Sequence, residues 1–283
     1  MPRLGEPYIP GSSSCGYHQQ GMQLDERNLP ALARGCAILG AGGGGDTAVG
    51  LLMALQAVQD HGPVPVVDLD DLPDEALIMP CGGIGAPTVS IEKIESGDEV
   101  FRLKEQVERL WDQPVVALMA GEIGGSNGLL PVAWAARAGL PLVDADGMGR
   151  AFPEIQMVTP TMYGISATPM AIADEKGNSA IINAISNRWT ETIARTITID
   201  MGSTALIALY PMSGRQLKES MVHGTLTKAE RIGRTLREAR SAHRDPIEAV
   251  KAVTGGFEIF RGKVTDVHRR TERGFARGEA VFQ

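Results

Sequence analysis

The chain has 283 residues, of which 43% are hydrophobic and 22% charged, and its 27 Lys and Arg against 34 Asp and Glu give a formal net charge of −7. This composition is that of a globular protein with one large domain or two ordinary ones, and its acidic balance argues against nucleic acid or an anionic membrane as the main partner. The three cysteines are not closely paired and indicate neither a disulfide framework nor a zinc site, so we expect a cytoplasmic protein. No apolar run reaches the length that a bilayer span requires.

Residues 1–24 are rich in Gly, Ser and Pro near their start and are predicted to form a tail or arm. Residues 25–168 then alternate predicted helices and strands. The helices are expected over 29–39, 47–58, 99–110 and 129–138, and the strands over 64–67, 77–79, 115–119 and 140–143. This alternation predicts an α/β domain with a mostly parallel sheet covered by helices.

The pattern changes after residue 168. Strands are predicted over 171–173, 179–182, 196–199 and 205–209, and further strands with charged turns between 257 and 282. Thr227 and Glu230 fit a capping box, and Asp245-Pro246 is typical of a helix start. We therefore predict a second, smaller α+β domain over 169–283.

A run of four glycines, Gly42, Gly43, Gly44 and Gly45, precedes Asp46 and the second predicted helix. Consecutive backbone N–H groups at a helix start can bind an anion. The spacing is neither that of a dinucleotide fingerprint nor that of a P-loop, because no Lys-Ser/Thr pair follows. The alternative is a tight helix–helix turn that needs positive φ angles, but four glycines favour a loop that faces a ligand.

An acidic loop follows the strand predicted at 140–143 and contains Asp144, Asp146, Arg150 and Glu154. Such a loop can supply a general base, ligands for a hard metal ion, or a carboxylate–guanidinium clamp for a substrate. An internal ion-pair network that stiffens the loop is the alternative.

Two other loops also follow predicted strands. Glu122 and Asn127 come directly after the strand at 115–119, where ligands bind in open α/β sheets, although Asn127 could equally cap a helix. Thr88 and Glu92 follow the strand at 77–79, beyond a cysteine that is more typical of a buried thiol than of a nucleophile. We expect Glu122 and the acidic loop to converge on one pocket.

These loops resemble the S-methyl thiohydantoin desulfurase-like family, whose members accompany hydantoinase and oxoprolinase enzymes. The resemblance rests on LGAGGGGD at 39–46, GAPTV at 85–89 with Glu92-Lys93, EIGGSN at 122–127 and DADGMGRAFPE at 144–154, with weaker matches at 173–178 and 262–264. Members of the family extend further than this chain, so we expect the last domain to be C-terminally incomplete.

The resemblance implies a reaction in amino-acid breakdown, in which water displaces methanethiol from an S-methylated thiohydantoin ring. It favours a hydrolase with Asp144, Asp146 or Glu154 as general base and Glu122 beside them. The glycine run, Asp46, Asn127, Arg150, Thr88 and Glu92 would then bind an anionic cyclic amide. A divalent metal at the carboxylates is compatible with the sequence, but no cofactor is required by it.

Two other functions remain open from the sequence. One is a non-catalytic or ligand-binding partner of a hydantoinase/oxoprolinase-type enzyme, and the other is a phosphate- or nucleotide-binding protein. We also expect a homo-oligomer, with no nucleic acid or membrane partner.

Overall fold

A mixed sheet of nine strands forms the centre of the protein in the computed structural model, which describes residues 21–86, 89, 92–93, 95–272 and 275–283. Two pairs of strands lie outside it. The strands are β1 (Gln23–Leu24), β2 (Val64–Val67), β3 (Leu77–Gly85), β4 (Val115–Ala120), β5 (Leu142–Val143), β6 (Ala145–Asp146), β7 (Met170–Ala173), β8 (Ser179–Ile182), β9 (Thr204–Ala208), β10 (Met212–Ser213), β11 (Val222–His223), β12 (Val264–Glu272) and β13 (Phe275–Phe282).

Helices cover both faces of this sheet. They are α1 (Leu29–Gly40), α2 (Thr47–His61), α3 (Glu99–Trp111), α4 (Leu130–Ala138), α5 (Thr159–Met162), α6 (Asn187–Asp200), α7 (Gly214–Ser220), α8 (Thr225–Ser241) and α9 (Pro246–Thr254), with a 3-10 turn at Gly125–Gly128. No helix among the described residues is both long and apolar enough to cross a membrane.

The sheet has a parallel half and an antiparallel half, in the order β1-β2-β5-β4-β3-β9-β7-β8. Strands β2, β5, β4 and β3 pair in parallel, whereas β9 is antiparallel to β3 and is followed by antiparallel β7 and β8. The predicted α/β class is confirmed. The same sheet includes β7, β8 and β9, although the sequence analysis assigned these residues to a second domain. The domain boundary at residue 168 stays a prediction.

Successive residues of β3 point to opposite faces of the sheet and therefore into two separate cores. Leu77, Met79 and Cys81 pack with apolar residues of α1 to α4 and α8 on one face. Ile78 and Ile84 pack with residues of α6 and α7 on the other face. Because both faces are buried, the carboxyl ends of the parallel strands are the part of the sheet that remains open to a ligand.

Most predicted elements are confirmed, and the exceptions have local causes. Residues 196–199 lie in α6 and not in a strand. The hydroxyls of Thr192, Thr196 and Thr198 each donate to the carbonyl four residues earlier, which accommodates β-branched residues in a helix. The capping box at Thr227 and Glu230 is wrong, because α8 begins at Thr225 after Gly224, whose φ is 70°.

Candidate active site at the edge of the sheet

A cavity of about 430 Å³ lies where several loops meet at the carboxyl ends of β3 and β4, and we call it the main cavity. The glycine run forms one side of it, and the end of β3 forms another. The remaining lining includes Glu95, Gly121, Glu122, Ser126, Asn127, Leu130, residues 150–155, Arg195, Thr204, Leu206, Ile207 and Leu209. Residues from both halves of the chain therefore build one cavity.

The glycine run packs with its backbone directly against the segment that follows β4. A Cβ added at Gly44 would lie 2.0 Å from the carbonyl oxygen of Gly124, and Gly44 has a φ of 75°. The carbonyls of Gly44 and Gly45 accept hydrogen bonds from the backbone N–H groups of Asn127 and Ser126. These glycines are thus needed for a close approach of two loops, which the sequence had not anticipated.

Glu122 is a buried carboxyl group that lines the main cavity. Its Oε1 accepts from Nδ2 of Asn127 at 2.6 Å, and its Oε2 accepts from the backbone N–H of Phe152 at 2.7 Å. Burial raises the pKa of Glu122 to about 7, and the nearby Asp146 carboxylate adds to this, while the two hydrogen bonds and Arg150 act in the opposite direction. A carboxyl group with such a pKa can gain or lose a proton near neutral pH.

Asn127 connects Glu122 to the end of β3. Its Oδ1 accepts from the backbone N–H of Gly83 at 2.7 Å, while its Nδ2 donates to Glu122 and, at 3.3 Å, to the carbonyl of Gly83. This side chain therefore positions the glutamate and does not act as a helix cap.

Asp146 is fully buried and ties two site segments together, but it does not line the main cavity. Its Oδ2 accepts from the backbone N–H of Ile123 at 2.8 Å, and its Oδ1 accepts from that of Gly149 at 2.7 Å. Burial raises the pKa of Asp146 to about 7 against the effect of these hydrogen bonds. The geometry gives Asp146 a positioning contact with the segment that carries Glu122.

Asp144 also lies away from the main cavity. Its Oδ1 accepts from the backbone N–H groups of Leu226 and Thr227 at 2.8 and 3.1 Å, and its Oδ2 accepts from the hydroxyl of Thr227. These N–H groups belong to the first turn of α8, so Asp144 caps a helix that is distant in sequence.

Arg150 and Glu154, by contrast, line the main cavity from the acidic loop. Arg150 is exposed and makes no ion pair within the described part of the chain. Glu154 is partly buried, and its carboxylate accepts from the side chain of Gln156. The arrangement leaves a guanidinium group at the cavity that could bind an anionic substituent.

Two of the other predicted binding residues, Asp46 and Glu92, do not line the main cavity. Asp46 caps α2, since its Oδ1 accepts from the N–H of Ala48 at 2.7 Å, and it lines a neighbouring cavity. Glu92 is exposed and lines neither cavity, and Thr88 lies outside the described residues.

The neighbouring cavity, of about 610 Å³, adjoins the main one, and we call it the side cavity. Five residues line both cavities: Glu95, Ser126, Leu130, Thr204 and Leu206. Burial, followed by the charge of Glu99, raises the pKa of Glu95 to about 7. Sequence reasoning missed this residue, since only the fold brings it into the lining of the same cavity as Glu122.

Arg195 of α6 is a second cavity residue that the sequence did not reveal. It pairs with Glu191 at 2.7 Å, and the other oxygen of Glu191 accepts from the backbone N–H of Ile155. This pair anchors the end of the acidic loop. Its i, i+4 spacing would have been the available signal, had the segment been predicted as a helix and not, over 196–199, as a strand.

Neither metal binding nor cysteine chemistry is indicated by the described residues. Among them, no group of three or more His, Cys, Asp and Glu side chains is placed to hold a metal ion. Burial raises the pKa of Cys81, and its thiol donates to the carbonyl of Met119 at 3.5 Å.

The fold and the cavity define an α/β protein with a cavity at the edge of its sheet, lined by glycine loops and a buried carboxyl group. Family comparison agrees with the motifs: the S-Me-THD-like N-terminal domain matches residues 27–184, and the S-Me-THD-like C-terminal domain matches residues 185–283. The chain therefore belongs to the S-Me-THD-like family, that is, the S-methyl thiohydantoin desulfurase-like family.

A solved structure has a similar fold. It is a crystal structure of a protein from Chromobacterium violaceum, with 25% sequence identity and a TM-score of 0.67. The similarity covers 78% of the present chain and 63% of the Chromobacterium chain, so the present chain spans less than two thirds of that protein. None of the curated proteins matches the chain.

Proposed function

We propose that the protein is a hydrolase of a hydantoin-like five-membered ring, in which water displaces methanethiol from an S-methyl thiohydantoin. Family membership supports the substrate class. The observation that carries the proposal is Glu122, a buried carboxyl group held by two hydrogen bonds in the lining of a cavity.

Glu122 is the general base of this proposal. Its two hydrogen-bond donors fix the carboxylate in one orientation, and a pKa of about 7 makes it a competent base near neutral pH. In the step, Glu122 accepts a proton from water while the water oxygen bonds to the ring carbon that carries sulfur. The electrons of the ring C=N bond move to the nitrogen, which takes up the proton held by Glu122. The C–S bond then breaks as the new hydroxyl becomes the carbonyl, and the second proton of the water balances the proton that leaves with the sulfur as methanethiol.

Substrate binding is assigned to the backbone around Gly42 and to Arg150, both of which line the main cavity. Main-chain N–H groups suit the oxygen and nitrogen atoms of a cyclic amide, and an exposed guanidinium suits a carboxylate substituent. We place Asp144 and Asp146 outside the chemical step, because neither lines the main cavity, whereas Glu122 does.

The test is an assay of purified protein with a panel of hydantoins and S-methyl thiohydantoins, with and without a carboxylate substituent. Released thiol is measured with a thiol-reactive dye, and the ring product by mass spectrometry. We expect thiol release that falls by roughly 10²- to 10⁴-fold in Glu122→Gln, as for loss of a general base. Glu105→Gln, at an exposed position on α3, is the matched control and should retain full activity.

Ring binding without thiol release, also in the presence of a hydantoinase-type protein, would contradict the hydrolase proposal. It would favour a ligand-binding subunit instead. Equal activity of Glu122→Gln and the wild-type protein would remove Glu122 from the mechanism while leaving the reaction in place.

A further inference from the structure

Glu95 occupies the junction of the two cavities, a position that the general-base step leaves unused. Glu95 lines both the main and the side cavity, and so do Leu130 and Leu206. We propose that Glu95 is the general acid that protonates the departing sulfur. This inference rests on the proposed function and adds a second catalytic residue to it.

The need for an acid follows from the leaving group. An alkyl thiolate is a strong base, so expulsion of the sulfur is faster when a proton reaches it as the C–S bond breaks. Glu122 takes a proton from water and therefore starts as a carboxylate. In this scheme the proton that Glu122 takes from water goes to the ring nitrogen, so the sulfur needs a proton from a second group that is protonated when the substrate binds.

The surroundings of Glu95 favour its protonated form. Its carboxyl group accepts a long hydrogen bond of 3.4 Å from Nε1 of Trp134, whereas both oxygens of Glu122 accept short hydrogen bonds. The carboxylate of Glu99 lies nearby and opposes a second negative charge, while Arg137 acts the other way. The pKa is about 7 for both glutamates, but their hydrogen bonding differs: donors at both oxygens of Glu122 favour its carboxylate, whereas Glu95 accepts one long hydrogen bond.

The wall around Glu95 also suits the methylthio group. Leu130 and Leu206 line the junction, and the buried Trp134 lines the side cavity next to it. An apolar CH₃S group gains free energy from contact with such a surface. A ring bound beside Glu122 could therefore direct its sulfur towards Glu95. The other charged or titratable side chains that line the side cavity are Asp46, Asp60, His61, Lys93, Asp174 and Glu175, and those that line the main cavity are Arg150, Glu154 and Arg195.

The test compares two substrates that differ only in their leaving group. Glu95→Gln is assayed with an S-methyl substrate and with the matching S-(4-nitrophenyl) substrate, whose thiolate is a weak base and leaves without a proton. We expect thiol release from the S-methyl substrate to fall by roughly 10²- to 10⁴-fold, and release from the nitrophenyl substrate to stay near the wild-type rate. The alkaline decline of the wild-type pH profile should disappear for the nitrophenyl substrate. Glu122→Gln should be slow with both substrates.

Three outcomes are distinguishable. The acid role is wrong if Glu95→Gln is impaired equally with both substrates while its melting temperature is unchanged. It is also wrong if the variant is fully active with both substrates. In either case the hydrolase function stands. If the wild-type protein releases thiol from neither substrate, the proposed function fails and the acid role fails with it. Glu105→Gln again serves as the control for an exposed glutamate of α3.

Discussion

Glu122 is held by contacts from two other segments, one from the 3-10 turn and one from the acidic loop. Asn127 donates to one oxygen, and the N–H of Phe152 donates to the other. The hydrogen bonds stabilise the carboxylate, and burial destabilises it, so the pKa of about 7 is the balance of two opposed effects. A change in either donor should therefore shift the pH at which the protein works.

We predict that Asn127→Leu moves the acidic limb of the activity profile to higher pH. The substitution removes a donor to Glu122 that lowers its pKa, so the carboxylate form should appear only at higher pH. The measurement is kcat/KM between pH 5 and 9 for the variant and the wild-type protein. An unshifted or lowered limb would show that the titrating group is not Glu122.

At the scale of elements, loops from different parts of the chain fix the ends of helices. Asp144, which follows β5, accepts from two N–H groups in the first turn of α8. The backbone N–H of Gly224 also donates to the carbonyl of Asp144. The acidic motif is therefore in part a structural device that attaches α8 to the parallel half of the sheet.

We predict that Asp144→Ala lowers the free energy of unfolding by about 0.5–2 kcal/mol, the usual effect of a lost helix cap, with turnover retained. Urea unfolding at neutral pH gives the stability, and the thiol assay gives the turnover. Loss of activity in a variant that remains fully folded would show that Asp144 takes part in catalysis.

The glycine run also connects structural elements, and its glycines have different neighbours. Gly44 lies against the backbone of Gly124, whereas a Cβ added at Gly42 would meet nothing within 4 Å, although Gly42 has a φ of 93°. Gly42 also lines the main cavity. The run thus combines loop packing with a surface that a ligand can approach.

We predict that Gly44→Ala lowers the melting temperature much more than Gly42→Ala, since only the former forces two backbones apart. Gly42→Ala should mainly weaken binding of an anionic ring, because its new methyl group stands in open space at the cavity. Thermal melting and titration with a hydantoin carboxylate test both variants. Equal loss of stability in the two proteins would show that strain at positive φ, and not the close approach, dominates.

At the scale of the whole molecule, three carboxyl groups among the described residues have a pKa of about 7: the buried Glu122 and Asp146 and the partly buried Glu95. Their ordinary values are 4.5 for Glu and 3.8 for Asp, so between these values and 7 the folded protein retains protons that the unfolded chain releases. The stabilisation from this difference is complete below the ordinary values and is lost as the pH rises through 7. A tenfold difference in proton affinity between the folded and unfolded states corresponds to about 1.4 kcal/mol.

We predict that the melting temperature falls between pH 5 and pH 8, and that the fall is smaller in Glu122→Gln. The glutamine does not titrate, so one of the three linked proton equilibria is removed. Calorimetric scans at several pH values provide the measurement. A wild-type melting temperature that rises over this range, or a variant with the same pH dependence, would contradict the assignment.

The tertiary arrangement also unites the two halves of the sequence. Helix α8 crosses α1 so closely that a Cβ added at Gly35 or at Gly233 would lie 1.8 Å from a carbonyl oxygen of the other helix. Helix α6 and strand β9 with the residue after it bring Arg195, Thr204, Leu206, Ile207 and Leu209 to a cavity whose other lining residues lie between 40 and 155.

Local sequence patterns were sufficient to predict most helices and strands, the α/β class and the loops that form the site. Helix α2 could be predicted because Asp46 caps it and its apolar residues recur at helical spacing, and β4 because it is a short apolar run between breakers. The motifs around Gly42, Glu122 and Asp144 were likewise sufficient to indicate the family. These features depend on interactions between residues that are close in the chain, and such residues can be read directly from the sequence.

The tertiary structure alone decided which acids line the cavity. Asp144, Asp146, Glu122 and Glu95 are equivalent as residue types, and their different surroundings come from distant segments: α8 for Asp144, the Gly149 turn for Asp146, Asn127 for Glu122 and Trp134 for Glu95. Burial and hydrogen bonding set the pKa and the accessibility of a carboxyl group, and both depend on contacts between residues far apart in sequence. For the same reason the sequence identified the loops of the site but not the distribution of roles among their carboxylates.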